Sequence, residues 1–353
     1  PVHAARTTRT MTTQPMTPLT LAGSPGSPYT RKMLAVLRYR RIPYRLLVGQ
    51  DHRARMPPAK VPLLPTFYLP DAQGQLVAVT DSTPLIRRLE SEPPGRAVIP
   101  ESAALAWLDA LIEDYADEWL TKAMFHYRWT YAPDIAKASA VLPNWFGDPL
   151  DDSALAAMGQ TFADRQIARL RYVGSHVVTA PTIEQSYLRL LEILERHFSV
   201  HRFVLGARPG AGDFGLYGQL TQLVAFDPTP MAIASQRAPR VVAWVHAMED
   251  LSGCEPAARD WCTPDELLST TRELLTEIGR VHVPLLLANA DALARGDERV
   301  RAVIDGRPWE QQPFPYQGKC LAWLRRDHAA LSGADRALVA RALTGTGCEA
   351  LLP

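Results

Sequence analysis

The chain has almost no net charge and no paired cysteines, and both features exclude classes of function. Its 353 residues carry 38 Lys and Arg against 37 Asp and Glu, so the formal net charge is +1. This balance gives no electrostatic basis for binding nucleic acid or an anionic membrane surface.

The cysteines include no CxxC pair, although closed zinc sites need ligands in tight pairs. We therefore expect no nucleic-acid partner and no metal. Dispersed thiols favour a reducing, cytoplasmic setting, and the four are Cys254, Cys262, Cys320 and Cys348.

Long apolar runs are also missing. No stretch approaches the roughly 20 apolar residues that a transmembrane helix needs, so we expect no membrane span. Residues 1–16 contain Arg and Thr but no acid and no apolar core, which excludes a secretory signal. This segment weakly resembles an organelle transit peptide, but a disordered leader or a misplaced start is the favoured interpretation.

The length and the hydrophobic content of 47% predict two folded domains. Residues 17–92 follow the order strand–helix–strand, then strand–strand–helix, with a weak, proline-broken segment between the two halves. Residues 93–100 are proline-rich and are predicted to form a linker. Residues 101–353 show helical periodicity, so we predict an all-helical domain there. Residues 263–353 are expected to form a C-terminal extension packed on it.

Three short motifs lie where the elements of the first domain meet. Ser27–Lys32, SPYTRK, opens the first helix; Leu64-Pro65 precedes the third strand; and Asp81-Ser82 opens the next helix. Their order resembles the thioredoxin-like N-terminal domain of the glutathione S-transferase superfamily, which has C/S-P-[FY]-x-x-[RK], a cis-proline and [QT]-[ED]-S in sequence. The resemblance extends over about residues 17–250. It implies a thioredoxin-like α/β domain followed by a larger α-helical bundle domain.

The resemblance implies that Ser27 faces the sulfur of bound glutathione and is the catalytic residue. Backbone amides and the dipole at a helix N-terminus favour an anion and lower the pKa of a thiol there. A serine hydroxyl can donate a hydrogen bond to the thiolate but cannot form a mixed disulfide. Ser24 and Tyr29 are rival positions, and ordinary helix capping would also explain Ser27.

The two later motifs would hold the rest of the tripeptide. In the family, the residue before the cis-proline pairs its backbone with the cysteinyl unit, which points here to Leu64 and Pro65. Val61-Pro62 is a competing position for the cis bond. Ser82 would bind the γ-glutamyl carboxylate at a helix N-terminus, and Asp81 would bind the ammonium group. Capping explains Ser82 equally well.

The first helix of the second domain would border the substrate cleft, by the same resemblance. The cleft candidates are Tyr29, Tyr115, Trp119, His126 and Arg128. An aromatic stripe at helical spacing is also typical of a buried core, so that alternative stays open.

The stretch from Gly210 to Gly215 reads GxGxxG but lies among predicted helices, and a dinucleotide site would need a preceding strand. The resemblance implies a structural helix cap there instead, with Gly210 at the N-cap and Asp213 three residues on.

These features predict an enzyme that uses glutathione as co-substrate on a small apolar electrophile, with a homodimer as one implied assembly. Conjugation is the default reaction, and glutathione-dependent isomerisation or reductive cleavage are variants. The alternative is a non-catalytic binding or assembly protein that keeps the scaffold. The weak segment at 50–60 and the absence of Tyr or Cys at position 27 favour that alternative.

Overall fold

The structure is a computed structural model that describes residues 17–50, 54–90 and 95–352. The expected leader at 1–16 and the start of the expected linker, residues 93–94, lie outside the described residues. Within the described ranges, the helices are too short or too polar to cross a membrane.

The N-terminal domain is a four-stranded mixed sheet with two helices, in the thioredoxin-like order that the sequence predicts. The strand order is β2-β1-β3-β4, and β1 runs parallel to β2 but antiparallel to β3, which pairs antiparallel with β4. The elements are β1 (Leu19–Ala22), α1 (Pro28–Tyr39), β2 (Tyr44–Leu47), β3 (Thr66–Pro70), β4 (Leu76–Val79) and α2 (Ser82–Glu90). Between β2 and β3, residues 54–60 contain no α-helix.

Local chemistry explains where α1 begins. Ser27 is its N-cap, and the Ser27 hydroxyl accepts a hydrogen bond from the Thr30 amide at 3.3 Å. Pro28 follows at the first helical position, where its missing N–H loses no helical hydrogen bond. Met33 and Leu37 are fully buried, which fixes the helix against the core.

The second domain is a bundle built around one buried helix, α8, against which α1 and α3 both pack. A π-helical turn, Ala116–Leu120, joins α3 to α4. The helices are α3 (Ala103–Tyr115), α4 (Thr121–Thr130), α5 (Ala132–Val141), α6 (Asp152–Ile167), α7 (Ala180–His197), α8 (Ala211–Ala225), α9 (Pro228–Arg237), α10 (Pro239–Met248), α11 (Ser269–Arg295), α12 (Pro315–Ala330) and α13 (Gly333–Leu343).

The C-terminal extension is not all-helical, which corrects the prediction for residues 101–353. It includes an antiparallel hairpin of β5 (Val300–Ile304) and β6 (Arg307–Gln311). Asp305 and Gly306 form its turn, and both have positive φ, as a two-residue type I′ hairpin turn requires. The hairpin packs on α11, and α12 packs on α11 and α3.

Candidate functional site

The predicted motifs lie at the same end of the strands of the four-stranded sheet. Ala22, at the end of β1, pairs with Thr66 at the start of β3, and Val79, at the end of β4, pairs with Phe67. The segments after β1, before β3 and after β4 therefore leave the sheet at the same end of its strands. We call this the motif edge, and it carries Ser27, Leu64, Pro65, Asp81 and Ser82.

Ser27 is half-buried at the start of α1. Its hydroxyl oxygen accepts from the Thr30 amide, so the hydroxyl proton remains available to donate to a ligand. Its own amide donates to the Ser24 carbonyl at 3.0 Å, which closes a tight turn in the preceding loop. Ser27 thus combines a free proton with the N-terminus of a helix, where an anion is favoured.

Arg128 holds that loop from the helical domain. Its guanidinium makes a two-pronged pair with Asp227, with Nε–Oδ1 and Nη2–Oδ2 distances of 2.8 and 2.9 Å. It also donates to Gln222 and, at 3.1 Å, to the carbonyl of Gly26. Burial raises the pKa of Asp227 to about 6, and Arg128 opposes that rise. Arg128 is therefore a buried support for the backbone just before Ser27.

The peptide bond between Leu64 and Pro65 is cis, and that between Val61 and Pro62 is not among the cis bonds of the described residues. Leu64 is 41% exposed. Neither its amide nor its carbonyl forms a hydrogen bond with another described residue. An extended peptide ligand could pair with both groups at this position.

Asp81 and Ser82 follow β4 with polar groups directed at three partners. Asp81 has a φ of 83°, an uncommon value for a residue other than glycine and one that concentrates at functional sites. One carboxylate oxygen accepts from the Thr83 amide at 3.3 Å and the other from the hydroxyl of Tyr316 at 2.7 Å. The buried Ser82 hydroxyl accepts from Lys32 at 3.1 Å and keeps its own proton to donate.

Lys32 is the centre of a buried ionic cluster that the sequence analysis missed. Its ammonium group lies 2.6 Å from a carboxylate oxygen of Asp117 and 2.8 Å from one of Glu113. Burial lowers the pKa of Lys32, but the two carboxylates outweigh burial and raise it above its ordinary value. Burial also raises the pKa of Asp117 to about 6, against the opposing effect of Lys32. The cluster joins the Ser82 end of the motif edge to the helical domain.

Three of the predicted cleft residues face the interior of the helical domain. Tyr115 is fully buried, and the centre of its ring lies 6.1 Å from the centre of the His282 ring. Trp119 is buried, and its indole N–H donates to the Ser186 hydroxyl at 3.0 Å. The ring nitrogens of His126 contact Ser175 and Glu184; these pairs are Nδ1–Oγ at 2.8 Å and Nε2–Oε1 at 3.0 Å. The structure does not bring these three residues to the motif edge.

Tyr29 is another of the predicted cleft residues. It lies on α1 beside the π-helical turn. Its hydroxyl donates to the carbonyl of Asp117 at 2.7 Å. Burial, together with the nearby Glu118 and Asp117, raises the pKa of Tyr29 well above its ordinary value, so the hydroxyl stays protonated. Tyr29 therefore connects the start of α1 with the helical domain.

The C-terminal extension covers the α3–α4 side of the helical domain. The ring centres of Trp309 and Trp119 are 5.3 Å apart. The side-chain amide oxygen of Gln311 accepts a hydrogen bond from the Lys122 ammonium group at 3.2 Å. On α12, the Gln317 amide donates to the carbonyl of Glu118 at 3.4 Å. The extension thus contributes to the burial of Trp119.

Gly210 and Asp213 lie at the start of α8. The Gly210 amide donates to one carboxylate oxygen of Asp213 at 2.9 Å. The other oxygen of that carboxylate accepts from the Val204 amide, also at 2.9 Å. Burial raises the pKa of Asp213 to about 7. Sequence reasoning missed Asp109 of α3, whose carboxylate accepts from the Ala211 and Gly212 amides, both at 3.0 Å. The start of α8 thus satisfies its free amides with two buried acids.

Comparison with protein families gives two matches in chain order. Residues 21–97 match the glutathione S-transferase N-terminal domain, and residues 153–247 match the glutathione S-transferase C-terminal domain. A search of curated proteins gives no match.

Comparison with solved structures gives weak similarities. A glutathione transferase from Pseudomonas putida, with one glutathione disulfide bound per subunit, is 12% identical with a TM-score of 0.41, over 65% of this chain and 86% of that one. A glutathione S-transferase from Rhodospirillum rubrum is 15% identical with a TM-score of 0.40, over 69% and 96% of the two chains. A Pseudomonas fluorescens family member with bound S-(propanoic acid)-glutathione is 18% identical with a TM-score of 0.35, over 68% and 98%.

Proposed function

Because this chain belongs to the glutathione S-transferase superfamily, we propose that it binds glutathione at the motif edge and presents the thiolate to a small apolar electrophile. Leu64 would pair its backbone with the cysteinyl unit. Asp81 would take the ammonium group and Ser82 the carboxylate of the γ-glutamyl unit. Cytoplasmic location and a homodimer are predictions that accompany this proposal.

The observation that carries the proposal is that the motif edge has several polar groups whose hydrogen-bonding capacity is not used. The amide and carbonyl of Leu64 have no hydrogen-bond partner among the described residues, and the protons of the Ser27 and Ser82 hydroxyls are not used. Asp81 adds a negative charge beside them. A tripeptide with one ammonium group, one thiol and a central peptide unit offers a complementary set of donors, acceptors and charge.

Catalysis would depend on the environment of Ser27. The positive end of the α1 dipole and the Ser27 hydroxyl both favour the thiolate form of a bound thiol. Since the thiolate is the nucleophile, a lowered thiol pKa increases its reactive fraction at neutral pH. Binding the electrophile next to it would supply the remaining acceleration through proximity.

One observation favours the alternative of a non-catalytic binding protein. Tyr115, Trp119 and His126 are packed or hydrogen-bonded inside the helical domain, so they do not offer polarising groups to an electrophile. The two functions share the same glutathione site and differ in turnover. An experiment must therefore measure binding and turnover on the same variants.

The test is calorimetric titration with glutathione, together with a turnover assay using 1-chloro-2,4-dinitrobenzene as electrophile. Wild type is expected to bind glutathione. Ser82→Ala is expected to weaken binding about 10- to 100-fold, because a hydrogen bond to a charged group contributes about 1.5–3 kcal/mol. Ser27→Ala is expected to keep binding but to lose at least about tenfold in turnover.

The matched control is Ser332→Ala, which removes the exposed N-cap serine of α13. It should reduce helix stability by about 1 kcal/mol and leave glutathione binding unchanged. Absence of binding by wild type would refute the proposal. Binding without turnover in wild type would support the non-catalytic alternative.

A further inference from the structure

The C-terminal extension places one hydroxyl group directly on the motif edge. The Tyr316 hydroxyl donates to a carboxylate oxygen of Asp81 at 2.7 Å, which is the length of a strong, charge-assisted hydrogen bond. Tyr316 lies in the first turn of α12, beyond both matched family domains. Burial and the charge of Asp81 raise the pKa of Tyr316, so its hydroxyl remains a donor.

The backbone before Tyr316 is fixed by a reciprocal clamp. Buried Asn289 of α11 donates its side-chain amide to the Phe314 carbonyl at 3.0 Å and accepts from the Phe314 amide at 2.8 Å. The Tyr316 ring also packs edge-on against Trp323, with ring centres 6.1 Å apart. Tyr316 is therefore held in place from two sides.

The rest of α12 is anchored to the helical domain. The indole N–H of Trp107 on α3 donates to the Leu324 carbonyl at 2.9 Å, and Gln317 bonds to the carbonyl of Glu118. A helix that is bonded to the helical domain at its first turn and at its middle cannot easily carry that first turn away from the sheet. This argues for a fixed role of Tyr316 rather than for a group that a ligand displaces.

Asp81 retains the capacity to bind a cation as well. An ionised carboxylate offers about four acceptor positions. On Asp81 two of them are occupied, one by the Thr83 amide and one by the Tyr316 hydroxyl. Both contacts are donors from fixed groups, so together they define the orientation of the carboxylate. An ammonium group can approach the positions that remain.

We propose that Tyr316 is a positioning residue of the ligand site, which orients the Asp81 carboxylate toward the ammonium group of a γ-glutamyl headgroup. This inference rests on the proposed function. It makes the C-terminal extension a wall of the site and assigns it a share in selecting ligands that have a free α-amino group.

The experiment compares two ligands on matched variants by calorimetry. The ligands are glutathione and glutaryl-cysteinyl-glycine, which lacks only the amino group. Tyr316→Phe is expected to weaken glutathione binding about five- to tenfold and to leave binding of the analogue within about twofold. Tyr172→Phe, which removes the hydroxyl of an exposed tyrosine, is the control and should change neither affinity.

A double-mutant cycle provides the second measurement. In an Asp81→Asn background, Tyr316→Phe should no longer change glutathione affinity, because the charge that it orients is gone. Equal weakening for both ligands would overturn the inference, as would tighter glutathione binding by Tyr316→Phe. Unchanged glutathione binding by Tyr316→Phe would overturn this inference alone, whereas absence of glutathione binding by wild type would refute the proposed function and this inference with it.

Discussion

The ammonium group of Lys32 lies 2.6 Å from the carboxylate of Asp117, so α1 and the π-helical turn share a buried ion pair. Both side chains are nearly inaccessible to water, and Glu113 is the second carboxylate of the cluster. Because Lys32 also donates to Ser82, this one cation links the two domains to the motif edge. A π-helical turn is rare and is often found at functional sites.

Replacing Lys32 by methionine should destabilise the protein strongly. Lys32→Met keeps most of the side-chain volume but leaves Asp117 buried without its cation and Glu113 with only the exposed Arg87, at 3.5 Å. Removing one partner of a buried pair costs about 3–5 kcal/mol of unfolding free energy. Urea unfolding at pH 7 measures the difference from wild type.

The control for that prediction is Arg87→Met. Arg87 is the exposed partner of Glu113, at 3.5 Å, and a pair with an exposed member contributes less than about 1 kcal/mol. A similar loss in both variants would mean that the buried cluster adds nothing beyond an ordinary surface contact.

Glu118 should make the protein less stable as the pH rises from about 5 to 8. Burial, with smaller effects of Asp114 and Asp117, raises the pKa of Glu118 to about 8, above its ordinary value of 4.5. Between these values the unfolded chain ionises while the folded protein keeps its proton, so stability falls with pH. The expected slope for this group is at most about 1.4 kcal/mol per pH unit.

Glu118→Gln removes this titration, so its stability relative to wild type should grow between pH 5 and pH 8. The comparison ends at pH 8 because burial lowers the pKa of Lys122 to about 8, where that group begins to titrate. The matched control is Glu192→Gln, an exposed glutamate, for which the difference should stay within about 0.5 kcal/mol. A flat difference for Glu118→Gln would show that its carboxyl is not perturbed by folding.

Gly218 should not tolerate alanine, because the backbones of α8 and α1 are in contact there. A Cβ atom at this position would lie 2.6 Å from the Pro28 carbonyl oxygen and 3.0 Å from Lys32 Cβ. Relief requires moving backbone at the start of α1, so Gly218→Ala should lower the unfolding free energy by about 1–3 kcal/mol. Thermal or urea unfolding checks it.

Gly333→Ala is the matched substitution in open space. A Cβ there meets no atom within 4 Å, so the smaller entropy of the unfolded chain should stabilise the protein by about 0.4–1 kcal/mol. The two glycines are thus expected to give changes of opposite sign. Equal effects would show that the α1–α8 contact can relax without loss.

The N-terminal domain could be predicted because its signals are local. Ser27 and Pro28 are a cap and a first-turn residue, and they mark the start of α1 in the sequence as they do in the structure. The cis bond at Leu64-Pro65 was predicted by the resemblance, since most X-Pro bonds are trans.

The β5–β6 hairpin was not predicted, although a signal for it exists. Asp305-Gly306 is a preferred pair for a two-residue hairpin turn, and it lies between Val300–Ile304 and Arg307–Gln311. The helical pattern on either side hid these short strands. The Asp-Gly turn pair is the signal in the sequence that predicts them.

The buried contacts of the site could not be predicted, because their partners are distant in sequence. Lys32 meets Asp117 across 85 positions, and no periodicity encodes such a pair. The stripe containing Trp119 has the same helical spacing whether it lines a cleft or is covered by Trp309. Only the packing of the extension separates these two cases.

Asp81 and Tyr316 are 235 positions apart, yet they share one hydrogen bond. During synthesis on the ribosome, the sheet emerges long before α12 does. The nascent chain therefore contains Asp81 and its sheet while Tyr316 is still untranslated. Deletion of α12 would take Tyr316 away from Asp81 and leave that carboxylate without this hydrogen bond.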